Sequence, residues 1–117
     1  MHEPAIAAEL IQLAQREIAQ AGYHHAAVTS ITIRVGALRA VVDENLRLAF
    51  DILKSNTPLA NAEITVEHAS VRGSCRHCGA NFEPTEPIFL CTSCGSGDLE
   101  IRQGNELDLM SITLDAE

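Results

Sequence analysis

The sequence predicts an α+β fold: two helices on a three-stranded, mostly antiparallel sheet, with a small cysteine-rich module inserted ahead of the last strand. Three observations carry this. Two segments repeat apolar residues at helical spacing, three others read as strands, and all four cysteines fall between the second and third of those strands. The order is α-β-α-β-insert-β. At 117 residues the chain suits one compact domain with a small appended module.

The first helix is "EPAIAAELIQLAQREIAQAG". Ile6, Leu10 and Leu13 form an apolar stripe that Ala7, Ile11, Ala14 and Ile18 widen. Pro4 suits the first turn, where its missing N–H has no partner to lose, and Gly22 is a stop signal. In "SITIRV", Ile31, Ile33 and Val35 then alternate with Ser30, Thr32 and Arg34, as in a strand with one buried face. The second helix runs from about Asp43 to Lys54, its stripe being Val42, Leu46, Phe50 and Leu53, and the stretch from Asn56 to Pro58 ends it. "AEITVEHASV" is a strand with Ile64 and Val66 on one face. The last strand, "NELDLMSITLD", changes phase from Leu107 and Leu109 to Met110, Ile112 and Leu114, which predicts a bulge or a strand covered on both faces.

From Gly73 to Gly104 the chain changes character, holding all four cysteines, five of seven glycines and two of four prolines. This divides it into an α/β body, residues 1–72 plus 105–117, and an inserted ribbon, residues 73–104. Cys75 and Cys78 form one Cys-x-x-Cys, and Cys91 and Cys94 the other, with twelve residues between the pairs. Two such knuckles supply the four thiolates of a tetrahedral Zn²⁺ site. Gly79 and Gly95 each follow a second cysteine, where positive φ lets backbone N–H groups turn toward the sulfurs. A rubredoxin-like iron site uses the same ligands, but zinc is the usual occupant of a closed Cys₄ set. Four protein ligands leave no open position, so the zinc is expected to be structural. It can contribute on the order of 10 kcal/mol to folding a module too small to hold itself together by burial. His77, inside the first knuckle, reads as a solvated loop histidine.

Sixteen acidic against eight basic residues leave a formal charge of −8. Within the ribbon, Arg76 and Arg102 face Glu83, Glu86, Asp98 and Glu100, and the chain's only aromatics are Tyr23, Phe50, Phe82 and Phe89. Nucleic-acid binders carry the opposite charge and stacking platforms, so no nucleic-acid partner is expected. Nor is a membrane, since no apolar run approaches the ~18 residues of a span. The N-terminus lacks a basic patch followed by an apolar core, and the expected compartment is the cytoplasm. No phosphate-binding or nucleophile-elbow motif is present, so no enzyme is expected.

The opening "MHEPAIAAEL" has its own chemistry. The Met1 amine, the His2 backbone nitrogen and the His2 Nδ1 can close chelate rings around one ion, and Glu3 can add an oxygen. Such a nitrogen and oxygen set suits Ni²⁺ or Cu²⁺ rather than Zn²⁺ or Mg²⁺. The bland alternative is a frayed His2 and a Glu3 that complements the helix dipole. His24, His25 and His68 read as surface or core histidines rather than ligands.

In order and spacing, "MHE", "VGALRAVVDENLRLAFD", the two knuckles and "GNELDLMSI" resemble the HypA/HybF family, nickel metallochaperones of [NiFe]-hydrogenase maturation, over essentially the whole chain. The resemblance implies a nickel-binding α/β domain carrying a zinc ribbon. It also implies labile Ni²⁺ as cargo, and a HypB-like maturation GTPase and the hydrogenase large subunit as partners. It assigns nickel to His2 and Glu3, with the Met1 amine a further donor. In some members a carboxylate at the start of the second helix contributes, and Asp43 matches it; by its own chemistry Asp43 reads as a helix N-cap. One departure stands out. Many relatives have Gly-Glu-Leu-Ser where this chain has "GALR", so Ala37 removes a carboxylate and Arg39 adds a cation. A monomer or weak homodimer is expected. The alternative function is a zinc-ribbon interaction adaptor without metal delivery.

Overall fold

The computed structural model describes residues 2–23, 26–84 and 88–115. Helix α1 (Glu3–Gln20) starts after His2, whose backbone takes φ 68° and whose carbonyl accepts the Ile6 N–H at 3.1 Å. Its buried face is Ile6, Ala7, Leu10, Ile11, Ala14 and Ile18, while Leu13 is only half-buried at the edge of the stripe. Gly22, at φ 86°, lies in the turn that ends it. Strand β1 (Ala27–Gly36) buries Ile31, Ile33 and Val35 as the alternation predicts. A short 3₁₀ turn (Ala37–Arg39) leads toward helix α2 (Asp43–Leu53).

The buried face of α2 is Leu46, Ala49 and Phe50, which keeps Leu46 and Phe50 of the expected stripe but not Val42 and Leu53. Val42 and Leu53 are 50% and 42% exposed, because the helix is rotated so that small Ala49 meets the core. Strand β2 (Glu63–Ala69) buries Ile64 and partly buries Val66. The last strand, here β6 (Leu107–Asp115), packs Leu107, Leu109, Ile112 and Leu114 against the core.

These strands form one sheet in the order β2-β1-β6. The two helices and three strands are those expected, but the sheet is mixed rather than mostly antiparallel. β1 pairs with β6 antiparallel, and with β2 parallel, Val35 lying opposite His68. The reason is the connection: α2 carries the chain back across the sheet, so β2 restarts in the direction of β1. The bulge predicted in β6 is present. Leu109 opposes Ile33 and Ser111 opposes Thr32, leaving Met110 without an opposite number. A second irregularity sits at Thr29 of β1, which puts both Val28 and Ile31 in the core although they are three residues apart. Phe50, Leu10, Ile31, Ile33, Leu46 and Leu59 are the largest fully buried side chains, filling the space between helices and sheet.

A second sheet, in the order β4-β3-β5, is built from β3 (Arg72–Cys75), β4 (Asn81–Phe82) and β5 (Leu99–Gln103), with both pairings antiparallel. Two sheets rather than one make the molecule long. Its radius of gyration is 17.7 Å, against ~13 Å for a compact domain of this length. The return from β5 to β6 is pinned to the end of β1. The Gly36 N–H donates to the Glu106 carbonyl and the Leu38 N–H to the Gly104 carbonyl, both at 2.8 Å. A Cβ on Gly36 would stand 2.1 Å from the Gly104 carbonyl, so no other residue fits there.

Candidate metal centres

The two knuckles have nearly the same backbone. In the first, the Cys75 N–H donates to the Ala80 carbonyl and the Gly79 N–H to the Cys75 carbonyl, both at 2.8 Å. In the second, Cys91 N–H to Ser96 carbonyl and Gly95 N–H to Cys91 carbonyl repeat the pattern at 2.8 Å. Gly79 at φ 79° and Gly95 at φ 75° supply the left-handed turn that each knuckle needs. Each turn aims N–H groups at sulfur: Cys78 N–H reaches Cys75 Sγ at 3.4 Å.

All four cysteines are free thiols, and their Sγ atoms lie within 4.8 Å of one another. The shortest approaches are 3.6 Å between Cys75 and Cys94 and 3.5 Å between Cys78 and Cys91. The N–H groups of Cys94 and Ser93 hold the Cys91 thiol down to about 6. Cys94 is pushed up to about 12: the Ser96 N–H lowers it, but burial and the thiols of Cys75, Cys91 and Cys78 outweigh that. Sulfurs this close resist joint ionisation unless a cation sits among them. Four soft thiolates turned inward on two rigid loops suit Zn²⁺. The cluster can therefore hold a metal ion, with no fifth group needed, and His77 is exposed as expected.

The rest of the ribbon surface carries no unpaired basic footprint among the described residues. Arg72 pairs with Glu83, Arg76 with Asp98 and Arg102 with Glu100, at 3.4, 3.2 and 3.3 Å.

At the other proposed site the structure brings the start of α1 against the start of α2. Glu3 is 7% exposed, the only buried charged residue among those described. Its Oε2 accepts the Val42 N–H at 3.1 Å. The positive α-amino terminus first, then the N–H groups of Val42 and of Glu3 itself, hold its carboxyl down to about 2. His2 is exposed. His2, Glu3 and Asp43 are not gathered into one cluster, however. Among the described residues only the four cysteines bring three or more ligand atoms together. Met1, His24, His25 and Glu86 lie outside the described residues.

Asp43 is not the N-cap that its chemistry suggests. It is the first residue inside α2; the cap position belongs to Val42, and no side chain caps this end. Asp43 instead accepts a hydrogen bond from His68 Nε2 at 2.8 Å. His68, which the sequence marks as unremarkable, is thus attached to a candidate site residue. The contact depends on the parallel pairing of β1 with β2, which no local sequence signal announces. Arg39 donates from Nε to the Asn105 carbonyl at 3.1 Å, so the departing cation is used in holding the β5–β6 return.

The fold and its cysteine cluster define a class: a small α+β protein with a four-cysteine group able to hold a metal ion and no membrane-crossing helix among the described residues. The family model described as "Hydrogenase/urease nickel incorporation, metallochaperone, hypA" matches residues 1–114, and the chain belongs to that family. It is 40% identical over 114 residues to the hydrogenase maturation factor HypA of Desulfosudis oleivorans, covering 97% of this chain and 98% of that one. To the HypA of Chloroflexus aggregans it is 35% identical over 113 residues, covering 96% and 97%. The solution structure of the Ni metallochaperone HypA from Helicobacter pylori superposes with a TM-score of 0.74 over the whole of both chains, at 24% identity, and shares the fold.

Proposed function

We propose that this chain holds one labile Ni²⁺ at its N-terminus and delivers it for [NiFe]-hydrogenase maturation. His2 supplies the imidazole and backbone nitrogen, Glu3 a carboxylate oxygen and Met1 its amine, with Asp43 as a further oxygen donor. Cys75, Cys78, Cys91 and Cys94 hold a resident Zn²⁺ that stabilises the ribbon, residues 73–104, as a module distinct from the body formed by 1–72 and 105–117. The partners in this reading are a HypB-like GTPase and the hydrogenase large subunit. The setting is the cytoplasm, and the chain is a monomer or weak homodimer.

The observation that carries the nickel reading is the buried Glu3 carboxylate bonded to Val42 N–H. A glutamate that only complemented a helix dipole would stay in water. This one anchors the chain's first residues beside the start of α2, where carboxylate and imidazole donors are at hand. The donors are mixed nitrogen and oxygen, and the group of three is not already clustered. A mixed nitrogen and oxygen set suits Ni²⁺ or Cu²⁺ rather than Zn²⁺.

His2→Ala should abolish nickel binding while leaving zinc content and fold unchanged. An unaltered nickel titration for that variant rejects the terminal site. The adaptor alternative draws support from Ile88, Phe89 and Leu90, exposed apolar residues near the second knuckle. Extending the chain before Met1 separates the two readings. Extension removes the amine donor and should weaken nickel binding, whereas an adaptor would bind its partner as before.

A further inference from the structure

The two oxygens of Asp43 are in different situations. Oδ2 accepts the hydrogen bond from His68 Nε2 at 2.8 Å. Oδ1 is buried without a hydrogen-bond partner, the only such side-chain atom among the described residues, although the side chain as a whole is 40% exposed. Burying a carboxylate oxygen unpaired is costly, and native proteins rarely do it unless something else completes the group.

The topology explains how the pair comes together. β1 and β2 run parallel, with Val35 opposite His68, and α2 starts after the carboxyl end of β1. Asp43 at the start of α2 and His68 near the end of β2 therefore share the carboxyl end of the parallel pair, the usual place for ligand groups in such an arrangement. Val42, the residue before Asp43, donates to Glu3. One short run thus links the Glu3 carboxylate, Val42, Asp43 and His68.

We propose that His68 is a positioning residue for nickel. It fastens Asp43 through Oδ2 and so presents Oδ1 to an ion held at His2 and Glu3. The proposal rests on the N-terminal nickel reading above. Histidine–carboxylate pairs at metal sites commonly use the imidazole as ligand with the carboxylate behind it. Here the order is reversed, because the buried atom lacking a partner belongs to the carboxylate, while His68 is exposed and bonded to it through Nε2. A side chain anchored at one oxygen loses less rotational freedom when the other binds, which raises affinity without adding a ligand.

The test is nickel affinity of the full-length, zinc-loaded chain, by competition with a chromophoric chelator. His68→Ala should weaken nickel ~10-fold, the lower end of what losing an outer-shell partner costs. His68→Gln, whose amide N–H can reach Oδ2, should recover most of the loss. In an Asp43→Ala background, His68→Ala should cost nothing further, since it acts only through Asp43. Zinc content and thermal unfolding should be unchanged throughout. If His2→Ala abolishes binding but His68→Ala matches the parent, this inference is wrong and the terminal site stands. If His68→Ala still costs affinity without Asp43, and His68→Gln does not rescue it, then His68 is itself a ligand and the positioning role is overturned. If His2→Ala leaves the titration unchanged, the terminal site falls and this proposal falls with it.

Discussion

Glu3 and Val42 are 39 positions apart, yet the Val42 N–H donates to the Glu3 carboxylate at 3.1 Å and ties the first turn of α1 to the start of α2. The carboxyl is held near 2, well below its ordinary 4.5. A carboxylate whose folded pKa is depressed stabilises the fold above its unfolded value and loses that contribution as pH falls through the folded one. Glu3→Gln should therefore be less stable than the parent at neutral pH, with chelator present to remove nickel. The difference should shrink as pH drops from about 4.5 toward 2. Thermal unfolding of both chains across that window checks it, and a pH-independent gap would show that charge is not the cause.

The knuckles predict a local failure rather than a global one. Cys91 is buried, and its thiol is held low by the N–H groups of Cys94 and Ser93. Cys91→Ser should lose bound zinc and amide protection across β3, β4 and β5. The core around Phe50 and Ile31 belongs to the other sheet and should persist. Hydrogen exchange with and without a strong chelator separates the two regions. Loss of protection in β1 and α1 as well would mean that the body depends on the ribbon.

Gly36 carries a steric prediction. Its Cβ position is occupied by the Gly104 carbonyl, 2.1 Å away, and the contact is backbone to backbone. Neither side can relax by changing a rotamer. Gly36→Ala should destabilise by about 1–3 kcal/mol or more, as overpacking does, and should open the bonds from Gly36 to Glu106 and from Leu38 to Gly104. Denaturant unfolding gives the magnitude. An alanine tolerated without loss would show that the β5–β6 return is free to move away from β1.

What could be read in the sequence was whatever had a local signature. The stripe of α1, the alternation of Ile31, Ile33 and Val35, and the two glycine-closed knuckles each depend on neighbours a few positions apart, and each is found as read except that Leu13 is only half-buried. The parallel pairing of β1 with β2 has no such signature. It depends on where α2 delivers the chain, and reading the sheet as mostly antiparallel hid the meeting of His68 with Asp43. The cap reading of Asp43 failed by one position, because the helix begins at Asp43 and Val42 takes the cap place. Glu3 had two plausible roles in sequence. Only its burial against a backbone N–H contributed by the start of α2 separates an anchored carboxylate from one in water.

The phase change in β6 was legible, and it leads to a prediction about a deletion. Met110 is 44% exposed and lies between Leu109, opposite Ile33, and Ser111, opposite Thr32. Removing it joins two residues whose partners on β1 are already adjacent, so the ladder becomes regular. Leu107, Leu109, Ile112 and Leu114 then alternate without interruption and stay on the core face. Deleting Met110 should therefore cost less than about 1 kcal/mol, the scale of changes at sites outside the core. Deleting Asp108 instead offers no such repair. Either Leu107 turns outward, or the bulge closes and exchanges Leu109 for Met110 in the core. Denaturant midpoints of the two deletions should thus differ clearly, with the Met110 deletion nearer the parent. Equal losses in both would mean that the bulge itself, with the twist it adds to β6, is what the fold requires.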